Sequence, residues 1–327
     1  KCLQMKQLIG VVLLLLNQSC VTKETNTYIA FSSCNDPDNS LAVLPALSNA
    51  LDTISTFIWL GDNVYLKDGE WDNLDRIRDR YKVSFQPELI QEVLSKGTHF
   101  AIWDDHDAGP NDCDASFAGM DKTMLVFKEF WKPSYPMPND KSYYGSVALE
   151  EGQIELFFLD NRSFRVHHDS SGATVFGEVQ LKWLESAYTG SNALCKIILM
   201  GGQFLNTAQV FDNVSRFPDE RNRLIDLMVN DPAVPIVLSG DRHHGELNTL
   251  DSYGKIIFEA TASPLTSRSF AHHEEENLTR LHPGTTETNH FGVLGLTRIG
   301  DSITGVQMSL IGAGGTMLFN HRETNFK

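Results

Sequence analysis

The chain has 327 residues, 41% of them hydrophobic and 21% charged, which is enough apolar material for one large or two small domains. A formal net charge of −15 excludes a nucleic-acid-binding surface and a broad anionic-membrane surface, because both need a basic face. An anionic substrate would be repelled by the protein's general field and must be captured locally, as bound cations can do.

Residues 1–20 start with Lys1 and Lys6, run apolar from Leu8 to Leu16 and end in Asn-Gln-Ser-Cys20. A basic start, an apolar stretch of this length and a small residue at the break describe an export signal rather than a spanning helix. Ser19-Cys20 is similar to a lipoprotein cleavage site, at which Cys20 would become the lipidated first residue, although Asn17 stands where a leucine is usual. The protein is therefore expected to be exported, periplasmic or held at a membrane or cell surface through Cys20, with residues 21–27 as a polar tether and 28–327 as one body. The five cysteines, Cys2, Cys20, Cys34, Cys113 and Cys195, have no spacing that marks a disulfide framework or a zinc ribbon.

The body opens with Tyr28-Ile-Ala-Phe-Ser-Ser-Cys-Asn-Asp36, a strand-like run ending at Cys34. Leu41 to Leu51 reads as a helix, and Thr56 begins a second strand that ends in Gly61-Asp62-Asn63 and Tyr65. Helical spacing follows over residues 68–82 and from Phe85 to Leu94, stopped by Gly97. The third run, Phe100 to Trp103, leads directly into Asp104, Asp105, His106 and Asp107, with Asn111 just beyond. Taken alone, that acidic stretch could be a solvated turn capping a helix. Its recurrence elsewhere is what favours a metal.

Met120 to Trp131 is an amphipathic helix, and strands are expected at Ser146 to Leu149 and Ile154 to Leu159. The second of these ends in Asp160-Asn-Arg162, where Arg162 is a candidate for a substrate oxygen and a salt-bridged scaffold role is the alternative. His167-His168-Asp169 lacks a preceding apolar strand and reads as a surface loop. Helix at Val179 to Leu184 and strand at Cys195 to Met200 lead to Gly201-Gly-Gln203, and Pro218 opens a further helix. Pro235-Ile-Val-Leu-Ser-Gly-Asp-Arg-His-His244 is another buried-type strand, ending in Asp241 and His243. Lys255 to Glu259 and a terminal hairpin, Asn289 to Leu296 with Ser302 to Leu310, complete the chain.

Apolar runs of parallel-sheet type ending in metal-binding groups occur four times, three of them with Ser or Gly at the junction and the run Phe100 to Trp103 passing directly into its aspartates. Open α/β sheets bind ligands beyond the carboxyl ends of their strands, so these ends are expected to converge on one site.

The order and spacing of Phe31-Ser-Ser-Cys-Asn-Asp36, Gly61-Asp-Asn-Val-Tyr65, Trp103-Asp-Asp-His-Asp107, Gly201-Gly-Gln203, Phe217-Pro-Asp-Glu-Arg-Asn-Arg223, Ser239-Gly-Asp-Arg-His243 and Ser263-Pro-Leu-Thr266 resemble the alkaline phosphatase D (PhoD-like) family of calcineurin-like metallophosphoesterases. The resemblance implies an α/β fold of two mixed β-sheets packed together and flanked by helices, with two or more metal ions at the strand ends. It implies Asp62 as the bridging carboxylate, Cys34 and Tyr65 as ligands on an iron side, and Asp105, Asp241 and His243 as further ligands. Gln203 stands where relatives often carry a histidine. Iron with calcium is what the family suggests, with zinc, manganese and magnesium as the alternatives. The absence of a twin-arginine pair and of a β-sandwich ahead of Tyr28 departs from many members.

The residue types argue the same chemistry independently. Thiolate and phenolate favour trivalent iron, whereas carboxylates suit hard cations. Such a cluster lowers the pKa of bound water enough to provide hydroxide for in-line attack on phosphorus. His106, beside Asp105, is the candidate general acid or transition-state donor, and Asn63, Asn111, Arg162 and Gln203 are candidates for holding substrate oxygens. Hydrolysis of a small phosphate ester is the expected activity. A non-catalytic exported metal- or ligand-binding protein on the same scaffold is the alternative, and a serine hydrolase is excluded by the lack of a Gly-x-Ser-x-Gly elbow.

Overall fold

A computed structural model describes residues 24–133, 135–271, 275–281 and 286–324. The export signal and the Cys20 anchor expected above lie outside the described residues. Strand β1 (Glu24–Ser32) starts earlier than the sequence pattern implied. Residues 24–27, expected as tether, pair antiparallel with residues 296–299 from Glu24↔Ile299 to Thr27↔Leu296. Their Glu-Thr-Asn-Thr sequence carries no apolar alternation, so only the ladder identifies them as strand.

Helix α1 (Leu44–Ala50) is shorter than Leu41 to Leu51 because Pro45 fixes its first turn. After β2 (Thr56–Leu60), helix α2 (Leu74–Phe85) begins at Asn73, whose side chain accepts from the Asp75 and Arg76 amides. Helix α3 (Glu88–Leu94) follows Pro87 and leads to β3 (Thr98–Ile102). A single turn, α4 (Asp105–Ala108), is capped by reciprocal bonds between Asp104 and Asp107, and α5 (Met120–Trp131) lies where the periodicity put it.

The middle of the chain builds a second sheet from β4 (Gly145–Leu149), β5 (Ile154–Phe158), β6 (Cys195–Met200), β7 (Val234–Ser239), β8 (Glu246–Ser252) and β9 (Lys255–Thr261). Helix α6 (Gly177–Gly190) connects β5 to β6, and α7 (Pro218–Val229) connects β6 to β7. Strands β10 (His290–Ile299), β11 (Ser302–Gly312) and β12 (Met317–Glu323) then return to the first sheet. The strand orders are β12-β11-β10-β1-β2-β3 and β4-β5-β6-β7-β9-β8. The parallel block β1, β2 and β3 adjoins antiparallel strands through β10 and ends at β3 as the sheet edge, whereas β5, β6, β7 and β9 are flanked on both sides by antiparallel strands.

Alternation along the strands divides the core. Leu156, Phe158, Ile197, Leu199, Ile236 and Leu238 face the first sheet, and Phe100 meets Phe158 at 5.6 Å between ring centroids. The intervening Phe157, Ile198 and Val237 face Leu181, Leu184, Leu224 and Met228 of α6 and α7. On the other side, Trp59 packs against Phe85 and Trp131 at 5.5 Å each. The result is a helix-sheet-sheet-helix sandwich in which the parallel blocks point their carboxyl ends at one rim. Among the described residues no helix is long and apolar enough to cross a membrane.

Two glycines let those ends approach. Gly61 has φ +91°, and a Cβ there would sit 2.6 Å from Asp104 Cβ. A Cβ on Gly240 would lie 2.6 Å from the Leu60 carbonyl oxygen. The ends of β2, β3 and β7 therefore pack backbone to backbone.

Candidate metal centre

The turns that leave the strands are unusual. Ten non-glycine residues among those described have positive φ, and six of them, Cys34, Asp62, Asp112, Phe211, Asp241 and His243, surround one rim of the sandwich. Left-handed backbone at non-glycine positions is held only where surrounding structure over-determines it, and such positions cluster at functional sites. Here the turns aim short donor-bearing side chains into a common volume.

Three donor groups adjoin there. Cys34, Asp62 and His243 each offer a ligand atom within 4.8 Å of the others, as do Asp62, Asp105 and His106, and Asp104, Asp105 and Asp241. Asp62 belongs to the first two groups and Asp105 to the last two, so the three form one continuous cluster. Tyr65 joins it, its hydroxyl 3.4 Å from Asp62 Oδ2 and 3.2 Å from His243 Nε2. The ring of His243 is oriented by Nδ1–H donating to the Arg268 carbonyl, which leaves the Nε2 lone pair facing the cluster. Ser263 Oγ donates to Cys34 Sγ at 3.1 Å, and the His106 amide donates to Asp62 Oδ1 at 3.3 Å. Asp107 supports them by accepting from the amides of Asn63 (3.1 Å) and Asp104 (3.0 Å).

The donor set fits multivalent cations. Burial, together with repulsion from Asp105 and Cys34, pushes the Asp62 carboxyl well above the carboxylate range. Burial and the neighbouring Asp104 and Asp212 do the same to Asp241, and burial pushes the Cys34 thiol up to about 12. Burial also opposes ionisation of Asp105, but Arg162 and His106 outweigh it and hold that carboxyl at about 2. Two buried oxygens, Asp104 Oδ2 and Asp105 Oδ1, accept no hydrogen bond. Anions packed this closely, with lone pairs unsatisfied, are what a bound cation compensates.

The cluster opens into a cleft of about 570 Å³ lined by Asp62, Asp105, His106, Asn111, Asp241 and His243 on its polar side. Of the residues expected to hold substrate, only Asn111 is on that wall. Arg162 is fully buried beneath it, paired with Asp104 Oδ1 and Asp212 Oδ2 at 2.5 Å each and with Asp105 at 3.7 Å. Gln203 is also fully buried, donating to Glu246 (2.8 Å) and Thr261 (3.0 Å) and accepting from Arg242 (2.8 Å). Asn63 ties β2 to β3 by donating to the Ile102 carbonyl at 2.9 Å. These three are scaffold rather than substrate contacts, because a strand end fixes a residue near the rim without deciding whether its side chain points out or back. The sequence put Asp104 in the metal-favouring acidic stretch without singling it out as a ligand, and gave no sign of Phe211, Arg242 and Phe270 as cleft wall. The doubled aspartate at 104 and 105 was the available signal for the first. His167, His168 and Asp169 do come together, but Arg216 lies against His168 Nε2, so a cation already occupies that nitrogen.

A family model of PhoD-like phosphatases matches residues 30–301. Among solved structures, the chain is similar to PhoD at 15% identity and a TM-score of 0.70, covering 91% of this chain and 68% of that one. It is also similar to GAP50, the anchor in the inner membrane complex of Plasmodium, at 13% identity and a TM-score of 0.56, covering 92% of this chain and 89% of the other. No curated protein matches. At such identities the solved structures speak for the fold, two mixed sheets with flanking helices.

Proposed function

The chain belongs to the PhoD-like phosphatase family, and from that premise we propose that it hydrolyses small phosphate esters at the β-strand rim, with the acidic cluster as a metal centre and His106 as proton donor. The observation that carries this reading is the continuity of the three donor groups through Asp62 and Asp105 at the floor of one cleft. Cys34, Asp62, Tyr65 and His243 would hold one ion, and Asp62, Asp105 and Asp241 would hold its neighbour. When bound, the ions supply Lewis acidity and neutralise charge on the phosphoryl oxygens. Thiol and phenol donors favour iron on the first side, and carboxylates favour calcium on the second; zinc, manganese and magnesium are the alternatives that elemental analysis separates.

The chain's own groups do the rest. His106 stands on the cleft wall with its ring 4.3 Å from that of Tyr65, which supports the orientation of the imidazole toward a leaving oxygen. A proton delivered from that ring to the ester oxygen removes the cost of expelling an alkoxide. Asn111 lines the same cleft and would donate to a substrate oxygen there. Arg162 acts from below by keeping Asp105 ionised. Export, and a Cys20 lipid anchor in the periplasm or at the cell surface, form part of the same proposal, supported by the leader's composition.

The test is hydrolysis of a chromogenic phosphate ester by metal-loaded protein, with Asp62→Asn and His106→Ala beside it. Rates unchanged in both variants would remove the assignment. The likeness to GAP50, a protein named as an anchor, favours a second reading, a non-catalytic binding protein on this scaffold. Metal content without turnover would select it.

A further inference from the structure

The cleft has a second wall that the phosphoryl chemistry does not use. Phe211 and Phe270 both line it, yet they are 58% and 52% exposed, among the large apolar side chains most open to solvent. Exposed phenylalanine is costly in water and informative when it is confined to the mouth of a polar site.

Both rings are held rather than loose. Phe211 sits at φ +45°, a region that bulky L-residues rarely adopt. Its ring lies 4.9 Å from the guanidinium carbon of Arg242. That guanidinium is itself fixed, donating to Gln203 Oε1 and Asn213 Oδ1 at 2.8 Å each. Phe270 packs its ring 5.2 Å from His243, and its amide donates to the His243 carbonyl at 2.9 Å. Each aromatic is thus tethered to the loop that carries Asp241 and His243, and each presents its ring to the cleft.

Building on the phosphoesterase reading, we propose that Phe211 and Phe270 form an aromatic mouth that selects esters whose leaving alcohol bears a flat aromatic group. With the phosphoryl group at the acidic floor, the leaving group must extend toward the opening, where the two rings provide π faces. A cleft of about 570 Å³ accommodates a phosphate with an aromatic substituent. The net charge of −15 adds to the argument, because a substrate that gains no long-range attraction needs contacts of another kind.

The test compares 3-phenylpropyl phosphate with propyl phosphate, whose leaving alcohols are alike in acidity, on the metal-loaded full chain. The expected preference in kcat/KM for the phenyl ester is about tenfold, the usual scale of stacking on protein aromatics. Phe211→Ala and Phe270→Ala should each reduce that ratio several-fold, whereas Phe211→Trp should retain it. Calorimetry with the two corresponding phosphonates gives the same comparison without turnover, and Phe270→Leu keeps apolar bulk while removing the ring face. Turnover of both esters at equal efficiency, or a preference that survives both alanine substitutions, overturns the inference and leaves the phosphoesterase reading standing. Absence of turnover of both esters removes that reading and the inference with it.

Discussion

Replacing Arg162 with methionine separates a scaffold arginine from a substrate-binding one. The guanidinium is fully buried and bridges Asp104 and Asp212 at 2.5 Å, with Asp105 at 3.7 Å. With the charges delocalised over guanidinium and carboxylate and so centred about 4 Å apart, each pair is worth roughly 4 kcal/mol at an effective dielectric near 20. The cost of burying the guanidinium offsets several kcal/mol of that total, which leaves about 3–5 kcal/mol lost when one partner of a buried pair is removed. For a fold of roughly 300 residues, a loss of about 4 kcal/mol lowers Tm by about 6 °C. Differential scanning calorimetry reads the shift, and steady-state kinetics on the same samples reads KM. Removing the charge that is then stranded, in Arg162→Met with Asp104→Asn, should recover part of the loss, whereas Asp212 keeps Arg165 as a partner at 2.5 Å. An unchanged Tm with KM raised tenfold would refute the reasoning and return Arg162 to the substrate.

His290 predicts an acid-labile step. Its Nε2 accepts from the Ser263 amide and its Nδ1 donates to the Thr288 carbonyl, so the buried ring is held neutral, and burial lowers its pKa from 6.5 to about 4. Because the unfolded chain takes up the proton first, stability is constant above about pH 6.5 and falls by roughly 3 kcal/mol as pH drops toward 4. The buried His244, also lowered, acts in the same direction. Urea titrations across that range should lose much of the slope in His290→Gln, and an unaltered slope would contradict the assignment. Gly61→Ala, with φ +91° and a Cβ 2.6 Å from Asp104 Cβ, should cost roughly 2–4 kcal/mol and reduce turnover through the displaced Asp62; a wild-type urea midpoint would rule this out. Stripping metal with a chelator should abolish hydrolysis and lower Tm by about 4 °C if the ion had been present near 100 times its Kd. A melt indifferent to the chelator would argue against metal at the rim.

The sequence disclosed strands where burial on both faces made continuous apolar runs, as in β2, β6 and β7, and it disclosed the donors that directly follow them. It hid the polar start of β1, Glu24 to Thr27, and the edge strands β8 and β12. Glu246–Ser252 reads Glu-Leu-Asn-Thr-Leu-Asp-Ser and Met317–Glu323 is half exposed, so neither carries the run that burial on both faces imposes. Within the rim, residue type located Asp62, Asp105 and His243, whereas Arg162 and Gln203 could be judged only once the direction of each side chain was known. The aromatic wall was illegible for a related reason. Phe211 and Phe270 lie in loops without periodicity, and an isolated phenylalanine in such a segment is most simply assigned to the interior.

The linkage of early and late residues at the rim has a consequence for biosynthesis. Cys34 and Asp241 lie 207 positions apart yet meet at one contact, and β1 completes its sheet only by pairing with β10. A nascent chain that has just emerged through α4 carries Cys34, Asp62 and Asp105 but neither Asp241 nor His243, and β1 still has an open edge. Such long-range closure is slow and comes late in folding. A complete donor set therefore exists only in the finished polypeptide, and any metal captured at the rim is drawn from the ions present where folding ends.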